Sequence, residues 1–454
     1  MLFRSDGELS RLKQYKIMEK KKGDQLLAAG QGTNDFLRQS EIVVTIDYDV
    51  ERDLDRAIEL INRTNQLNFT KRRLSQNMDE ARIQLRELLS SYHVQAATIS
   101  VRDKYGDYGI VGVYVESRLI QRGSGLVHYC FSCRILGMAI ETWLYNILGR
   151  PPITVTGDVS ANILEDNAEI DWVALRYSSD IPESQTAVAK VSSRIFFRGS
   201  CELLAVSHYF GTLASSVKGE YAFSRDDIQI RPEHSVMFCH AIDGVSAELL
   251  DSFVRLGFRA EDFETALFDL PNDSINPAWV LSFWADADLN VYRHKKTGAL
   301  IPFNAFPAIL RSIDFTKATL DEIEPFFRDH WIVGALETLR EEYEFFGQID
   351  GQLFKHNLYK IIKRVPTNGL VFIVGANEID RPDSNGRATP IDHHITFNDY
   401  CRQVCSSFSN AIFISPSEFI ISGDEIQDYY NHFDRKVYYR IFELIHKRLT
   451  IAAQ

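Results

Sequence analysis

Long apolar runs are missing from this sequence. No stretch approaches the ~18–20 consecutive apolar residues of a membrane span. The opening residues, MLFRSDGELSRLKQYKIMEKKK, also lack the apolar core of a secretory signal. Cysteine is scarce, with six in 454 residues, too few for a disulfide framework. Positive charge is in deficit: 50 basic side chains face 62 acidic ones, for a net charge of −12. Nucleic acid and anionic membrane surfaces, both polyanions, would not attract such a chain. No internal repeat or low-complexity tract interrupts it. These absences predict a reduced, cytoplasmic protein with no membrane span and no nucleic-acid partner. What is present is an ordinary globular composition, 45% apolar and 25% charged. At ~100–200 residues per domain, the length predicts two or three domains.

Residues 1–40 are polar, and read as an exposed helix around Arg11 to Lys22 followed by a linker at Gly30 and Gly32. From residue 41 the pattern changes. EIVVTIDYDV is a β-branched run, and Asp53 to Asn65 places Leu54, Ala57, Ile58, Leu60 and Ile61 on one helical face. A second amphipathic helix is predicted over 79–93. Three strand-like stretches follow, AATISVRD, GIVGVYVESR and LVHYCFSCR, then a helix from about Leu136 to Leu148 that Pro151 and Pro152 end. Residues 178–193, small and polar, read as an interdomain linker. Beyond them RIFFR, HSVMFCH, PAWVLSFWA, NGLVFIVGA and NAIFISP read as strands alternating with helices, the pattern of a parallel sheet covered on both faces.

In the first half, Arg134, Gly137 and Ala139 of CFSCRILGMAIETWLYNIL have the spacing of a turn that opens a helix beneath a pyrophosphate. Small residues let the backbone approach the phosphates, and the N–H groups of the first helical turn point at them. The plainer reading is a strand-to-helix turn. NRTNQLNFTKRR, VRDKYGDYGIVG and SCRILGMAIE, in that order, resemble the C-terminal domain of FkbH-like proteins, bacterial enzymes of polyketide and related secondary metabolism. The resemblance covers about residues 9–177. It implies a mixed α/β fold of the GCN5-related N-acetyltransferase (GNAT) type over 41–180, and a role in moving an acyl group, glyceryl in that family, on an acyl carrier protein. The family usually has glycine where Ala139 stands. FkbH-like proteins also carry an upstream haloacid-dehalogenase-type domain, and nothing here is long enough to be it. Asp47 and Asp49 mimic its first motif, but their flanks belong to the later segment. Donor loading is therefore expected from a separate haloacid-dehalogenase-type protein, or is absent. Cys130 and Cys133 form a CxxC, but on a strand this spacing points the thiols to opposite faces, and with Cys401 and Cys405 far along the chain no metal site is expected.

In the second half, RIFFR runs into GSCELLAVSHYFG, a glycine–small–nucleophile turn entering a helix. Ser200 or Cys201 would stand at that helix N-terminus, where backbone N–H groups can stabilise an oxyanion and the dipole favours a thiolate. His432, near the other end, precedes the last helix. Nucleophile early and histidine last is the order of SGNH-class esterases. GSCELLAV, WVLSFWADADLNVYRHKKTG and AIFISPSEFIISGDEIQDYYNHF resemble the GSCFA family of that class, over about residues 195–450. The resemblance implies an SGNH-like (flavodoxin-like) three-layer α/β/α domain over 194–454 with a parallel sheet. SGNH enzymes place an Asp three residues before the His; here Tyr429 holds that position, and Asp428 and Asp434 are the nearest carboxylates. Asn377 in GANE and Gly244 are further oxyanion candidates, although the 284–290 region is better placed than Asn377. His393 and His394 read as solvent-facing residues of a polar loop.

Together these readings predict an acyltransferase that moves an acyl group from a carrier-protein or coenzyme A (CoA) thioester to a hydroxyl in secondary-metabolite or polysaccharide biosynthesis. Ser200 or Cys201 would attack, His432 would take the proton with Asp428 beside it, and Arg134, Gly137 and Ala139 would hold the pantetheine arm. CoA or phosphopantetheine enters as a co-substrate, with no tightly bound cofactor. The alternatives are an SGNH-type esterase or thioesterase, and a non-catalytic scaffold that docks carrier proteins.

Overall fold

The computed structural model describes residues 16–21, 23–24, 32–118, 125–165, 169–177, 191–211, 213–226, 228–270, 276–304, 313–323, 331–382, 388–428 and 431–452. The chain divides into two compact units, Met1–Ala189 and Lys190–Gln454. Most of the predicted linker, 178–190, lies outside the described residues.

The first unit runs α1 (Thr33–Arg38), β1 (Ile42–Asp47), α2 (Leu54–Arg63), β2 (Leu67–Asn68), α3 (Met78–Ser90), β3 (Val94–Asp103), β4 (Gly106–Ser117), β5 (Gly125–Phe131), α4 (Ile140–Ile147) and β6 (Val173–Tyr177). Its sheet has the order β2-β5-β4-β3-β1-β6. Every pairing is antiparallel except β1 with β6. Helix α2 forms because its five predicted apolar positions share a face, and all five are buried. Asn77 starts α3 by accepting the N–H groups of Asp79 and Glu80, and Ala81, Leu85 and Leu89 turn inward. The helical residues 16–21, expected to be solvated, lie on the β3–β4 turn instead. Lys21 pairs with Asp103 at 2.7 Å, and Ile17 fills the space where a side chain on Gly106 would stand.

The second unit continues β7 (Val191–Gly199), α5 (Cys201–Phe210), β8 (Ala214–Tyr221), β9 (Phe223–Arg225), β10 (Ile228–Ile230), α6 (Ser235–Asp243), α7 (Ala247–Arg255), β11 (Ala278–Ser282), α8 (Ala285–Asp288), β12 (Val291–His294), β13 (Leu300–Pro302), α9 (Leu320–Ile323), α10 (Trp331–Glu342), β14 (Tyr343–Gly347), α11 (Gly351–Arg364), β15 (Leu370–Val374), α12 (Asp392–Cys405), β16 (Ala411–Ile414) and α13 (Arg435–Ala452). Its main sheet has the order β8-β7-β11-β15-β16, and every pairing is parallel. Counted along the chain, this is a doubly wound 2-1-3-4-5 sheet, whose switch point lies between β7 and β11. Alternation along β7 sends Phe196 into the core formed with α6, α11 and α12, and Phe197 against Phe210 of α5, which packs on Phe442 of α13. Helices therefore cover both faces. Strands β12–β14 form a small antiparallel sheet that shares a second core with α7 and α10.

One predicted strand is a helix. HSVMFCH lies in α6, where the His234 ring accepts the Val236 N–H at the N-cap and Val236, Met237 and Phe238 are all buried, so no helical period survives in the sequence. The missing strand is the polar ASSVKGEY of β8, at the sheet edge, where few apolar residues are needed. No described helix is long and apolar enough to cross a membrane.

Candidate active site

Strand β7 leads into α5 through Gly199. A side chain there would stand 2.6 Å from Leu203, so only glycine permits the tight entry. Ser200 takes the N-cap position, is buried, and makes no side-chain cap hydrogen bond; its N–H donates to the Glu202 carboxyl at 3.3 Å. Cys201 is the first helical residue and is only partly buried. The first bond of the helix runs from the Leu204 N–H to the Ser200 carbonyl, which leaves the N–H groups of 201–203 outside the helical ladder and beside the thiol.

His432 arrives from the far end of the unit. Between β16 and α13 the chain turns back on itself: Ile426 and Phe433 form an antiparallel bridge, and the Gln427 N–H donates to the His432 carbonyl at 2.9 Å. Asn431 turns the tip with a φ of 61°. Its side chain accepts the Asn377 N–H at 2.6 Å and donates to the Gly375 carbonyl at 3.0 Å, fixing the loop to the end of β15. Inside this clasp the His432 Nδ1–H donates to Asp428 at 2.7 Å, and the Cys201 thiol lies near enough to the imidazole to favour its charged form. Burial works against a charge on the ring. Asp428 and then Cys201 outweigh it and raise the pKa to about 9. Asp428, four residues before His432, is thus the carboxylate that orients the ring, where Asp428 and Asp434 were both open. Asp434 instead accepts the Lys436 N–H at the start of α13.

The sequence candidates Cys201, His432 and Asp428 therefore lie together at the carboxyl edge of the sheet, beside the switch point at the end of β7, with Ser200 adjacent and buried. Compared with known proteins, the chain matches no protein-family model and no curated protein sequence.

Next to this triad lies a buried polar cluster that sequence reasoning missed. Arg231 pairs with Glu233 at 2.5 Å and stacks on Trp284, and Arg198 pairs with Glu220 and donates to the Pro232 carbonyl at 2.7 Å. Burial pushes Glu233 up to about 7 and Asp286 up to about 8, the latter despite the Ser235 hydroxyl and N–H that it accepts. Burial also drives His234 down to about 3, leaving its ring neutral. Glu202, itself raised by burial, feels the Arg231 charge and so joins this cluster to the helix that carries Cys201. The signal was available as RPEHS, a polar block set directly before an apolar run.

Asn377 is fully buried; its backbone N–H donates to Asn431 and its side-chain amide to the Ile379 carbonyl, so it braces the loop that carries His432. Gly244 is an exposed helix terminator with a φ of 80°. His393 and His394 stand in the first turn of α12, not in a loop, and His394 is fully buried. Cys401 and Cys405 are buried in the same helix.

In the first unit, the turn after β5 holds Arg134, Gly137 and Ala139. Gly137 has a φ of 80° and Ala139 a left-handed φ of 59°, so the predicted helix start at Leu136 moves to Ile140. A left-handed backbone favours glycine, which is the physical reason a glycine would be preferred at 139. Arg134 donates to the Tyr108 carbonyl at 3.0 Å. A cleft of about 660 Å³ opens over the turn, lined by Lys21, Phe36, Tyr108, Arg134, Gly137 and Met138 among others. Cys130 is buried and Cys133 exposed. Asp47 and Asp49 are tied into their own loop, the Asp49 N–H donating to Asp47 at 2.9 Å and Arg52 pairing with Asp47.

Proposed function

We propose that this protein is a cysteine-dependent acyltransferase. The observation that carries the reading is the Cys201–His432–Asp428 constellation, with the sulfur at a helix N-terminus and the imidazole held by a carboxylate. The Cys201 sulfur attacks the carbonyl carbon of an acyl thioester, and the carbon–sulfur bond to the donor breaks. The departing thiolate takes the proton that His432 carries, leaving an acyl-Cys201 thioester. A hydroxyl acceptor then gives its proton to His432 and attacks the acyl carbon, forming an ester and restoring the Cys201 thiolate beside the protonated ring. The N–H groups of 201–203 suit the oxyanion of each tetrahedral intermediate. The strand order and the early-nucleophile, late-histidine arrangement support the SGNH-like, GSCFA-type assignment of this unit.

The first unit, read as an FkbH-like GNAT-type domain, would hold the CoA or phosphopantetheine arm of the donor. The cleft volume falls in the ligand range of ~300–1,000 Å³. Arg134, Gly137 and Ala139 would face the phosphates, and an acyl carrier protein or acyl-CoA would be the donor partner. Carrier docking without catalysis leaves the His432–Cys201 contact without a purpose.

Incubation with a panel of acyl thioesters followed by intact-mass spectrometry tests the reading. An acyl adduct should form, disappear in Cys201→Ala and persist in Ser200→Ala. Absence of any adduct, or its survival in Cys201→Ala, would overturn it. Labelled acyl groups appearing only in free acid, whatever hydroxyl acceptor is supplied, would make the enzyme a thioesterase. Unchanged CoA affinity in Arg134→Ala would remove the phosphate role of that turn.

A further inference from the structure

Away from the triad, three metal-ligating side chains meet. Asp288 ends α8, in the loop that leaves β11, and His393 and His394 are neighbours in the first turn of α12. Asp288 Oδ1 lies 3.2 Å from His393 Nε2, and Asp288 Oδ2 lies 3.0 Å from His394 Nε2. One candidate ligand atom from each residue lies within 4.8 Å of the others. Bonds of ~2.0–2.1 Å in a tetrahedral centre place neighbouring ligand atoms about 3.3 Å apart, so small side-chain adjustments within this 4.8 Å cluster would bring one oxygen of Asp288 and the two ring nitrogens onto a single ion.

The second nitrogen of His394 sharpens the point. Nδ1 sits 2.7 Å from the Asn377 carbonyl, which can only accept, so this nitrogen carries the proton. In a neutral imidazole Nε2 then presents a lone pair, and it faces a carboxylate oxygen at 3.0 Å. Either a second proton or a cation must lie between them. A backbone carbonyl that fixes the tautomer of a buried histidine is the usual support behind a metal ligand.

We propose that Asp288, His393 and His394 form a binding site for a divalent transition metal of the zinc class. The imidazoles bind through Nε2 and the carboxylate supplies the third ligand. Three protein ligands leave a fourth position for water. Two imidazoles and one carboxylate suit zinc or cobalt better than calcium or magnesium, which prefer all-oxygen shells. The site does not depend on the acyltransferase reading. It does adjoin the base loop: the Asn377 carbonyl accepts from His394, while the Asn377 N–H donates to Asn431, the residue before His432. A bound ion would brace α12, the β11 loop and the end of β15 as one unit.

The test uses the full chain carrying Cys201→Ala, so that the active-site thiol cannot contribute. Titration with Zn²⁺, and with Co²⁺ as a spectroscopic probe, should show one equivalent bound. Bound Co²⁺ should give visible d–d bands without the near-ultraviolet thiolate band, and Zn²⁺ should raise the melting temperature. His393→Ala, at an exposed position, and Asp288→Asn should each weaken binding by about tenfold or more with an unchanged circular dichroism spectrum. A protein that binds neither ion at micromolar concentration, that binds Co²⁺ through thiolate, or whose affinity is indifferent to both substitutions overturns the site.

Discussion

Replacing Asp428 should release the proton that His432 holds. Burial alone would lower the ring below its ordinary value of 6.5, yet it titrates at about 9 because Asp428, and secondarily Cys201, stabilise the charged form. The rise corresponds to about 3 kcal/mol of differential interaction. His432 is 16% exposed but Asp428 is 39% exposed, so solvent screening reduces the share lost with Asp428 to about 1–2 kcal/mol. The pKa is raised on folding, so this stabilisation is complete below 6.5 and fades as pH climbs through 9. Asp428→Asn, which keeps an acceptor for the Nδ1–H, should lower the midpoint by roughly 1 unit, and Asp428→Ala should lower it further. The imidazole Cε1–H resonance followed against pH reads the midpoint directly, with the His432 signal assigned by its loss in His432→Gln. Urea denaturation should show both variants destabilised at about pH 6 and nearly equal to wild type at about pH 10. A His432 midpoint that stays at about 9 in Asp428→Ala would refute the assigned partnership, and with it the triad.

Other substitutions probe the supports of the two turns. Gly199→Ala should cost about 1–3 kcal/mol in chemical denaturation, because its Cβ would meet Leu203 at 2.6 Å; an unchanged midpoint would mean that the α5 entry has slack. Ala139→Gly should stabilise the first unit by about 1 kcal/mol, since it relieves a left-handed alanine at a φ of 59°. Destabilisation would show that the Ala139 methyl packs usefully. Asn431→Gly keeps the left-handed turn but removes the bonds to Gly375 and Asn377, and should cost about 1–3 kcal/mol while slowing Cys201 acylation. An acylation rate equal to wild type would separate the loop anchor from catalysis.

The alternation of strands and helices in the second unit was legible because β7, β11 and β15 are buried on both faces and read as continuous apolar runs. Edge strand β8 hid behind polar residues, and α6 hid because its own buried run has no polar face. The Ser200–Cys201 pair and His432 stood out from local context, a glycine-led turn into a helix and a histidine before the last one, but the choice between serine and cysteine stayed open. The choice of Asp428 could not be made there, because it depends on a loop closed by the Ile426–Phe433 bridge and a left-handed Asn431, neither of which spacing reveals. Arg231, Glu233 and Asp286 escaped for a related reason: they converge only after the sheet has formed. Likewise Asp288 meets His393 and His394 only because α12 begins beside the β11 loop, a long-range pairing that no short motif encodes.

The helix that follows His432 also packs on the helix that carries Cys201. Tyr209 and Phe210 of α5 contact Tyr439 and Phe442 of α13, and the Tyr209 hydroxyl donates to the Arg435 carbonyl. During synthesis Cys201 emerges well before this partner, and nearly the whole second unit must be translated before His432 follows. Until α13 docks, the thiol has no imidazole beside it and α5 leaves an aromatic face uncovered. The zipper of rings that completes the fold is also the event that brings His432 to Cys201.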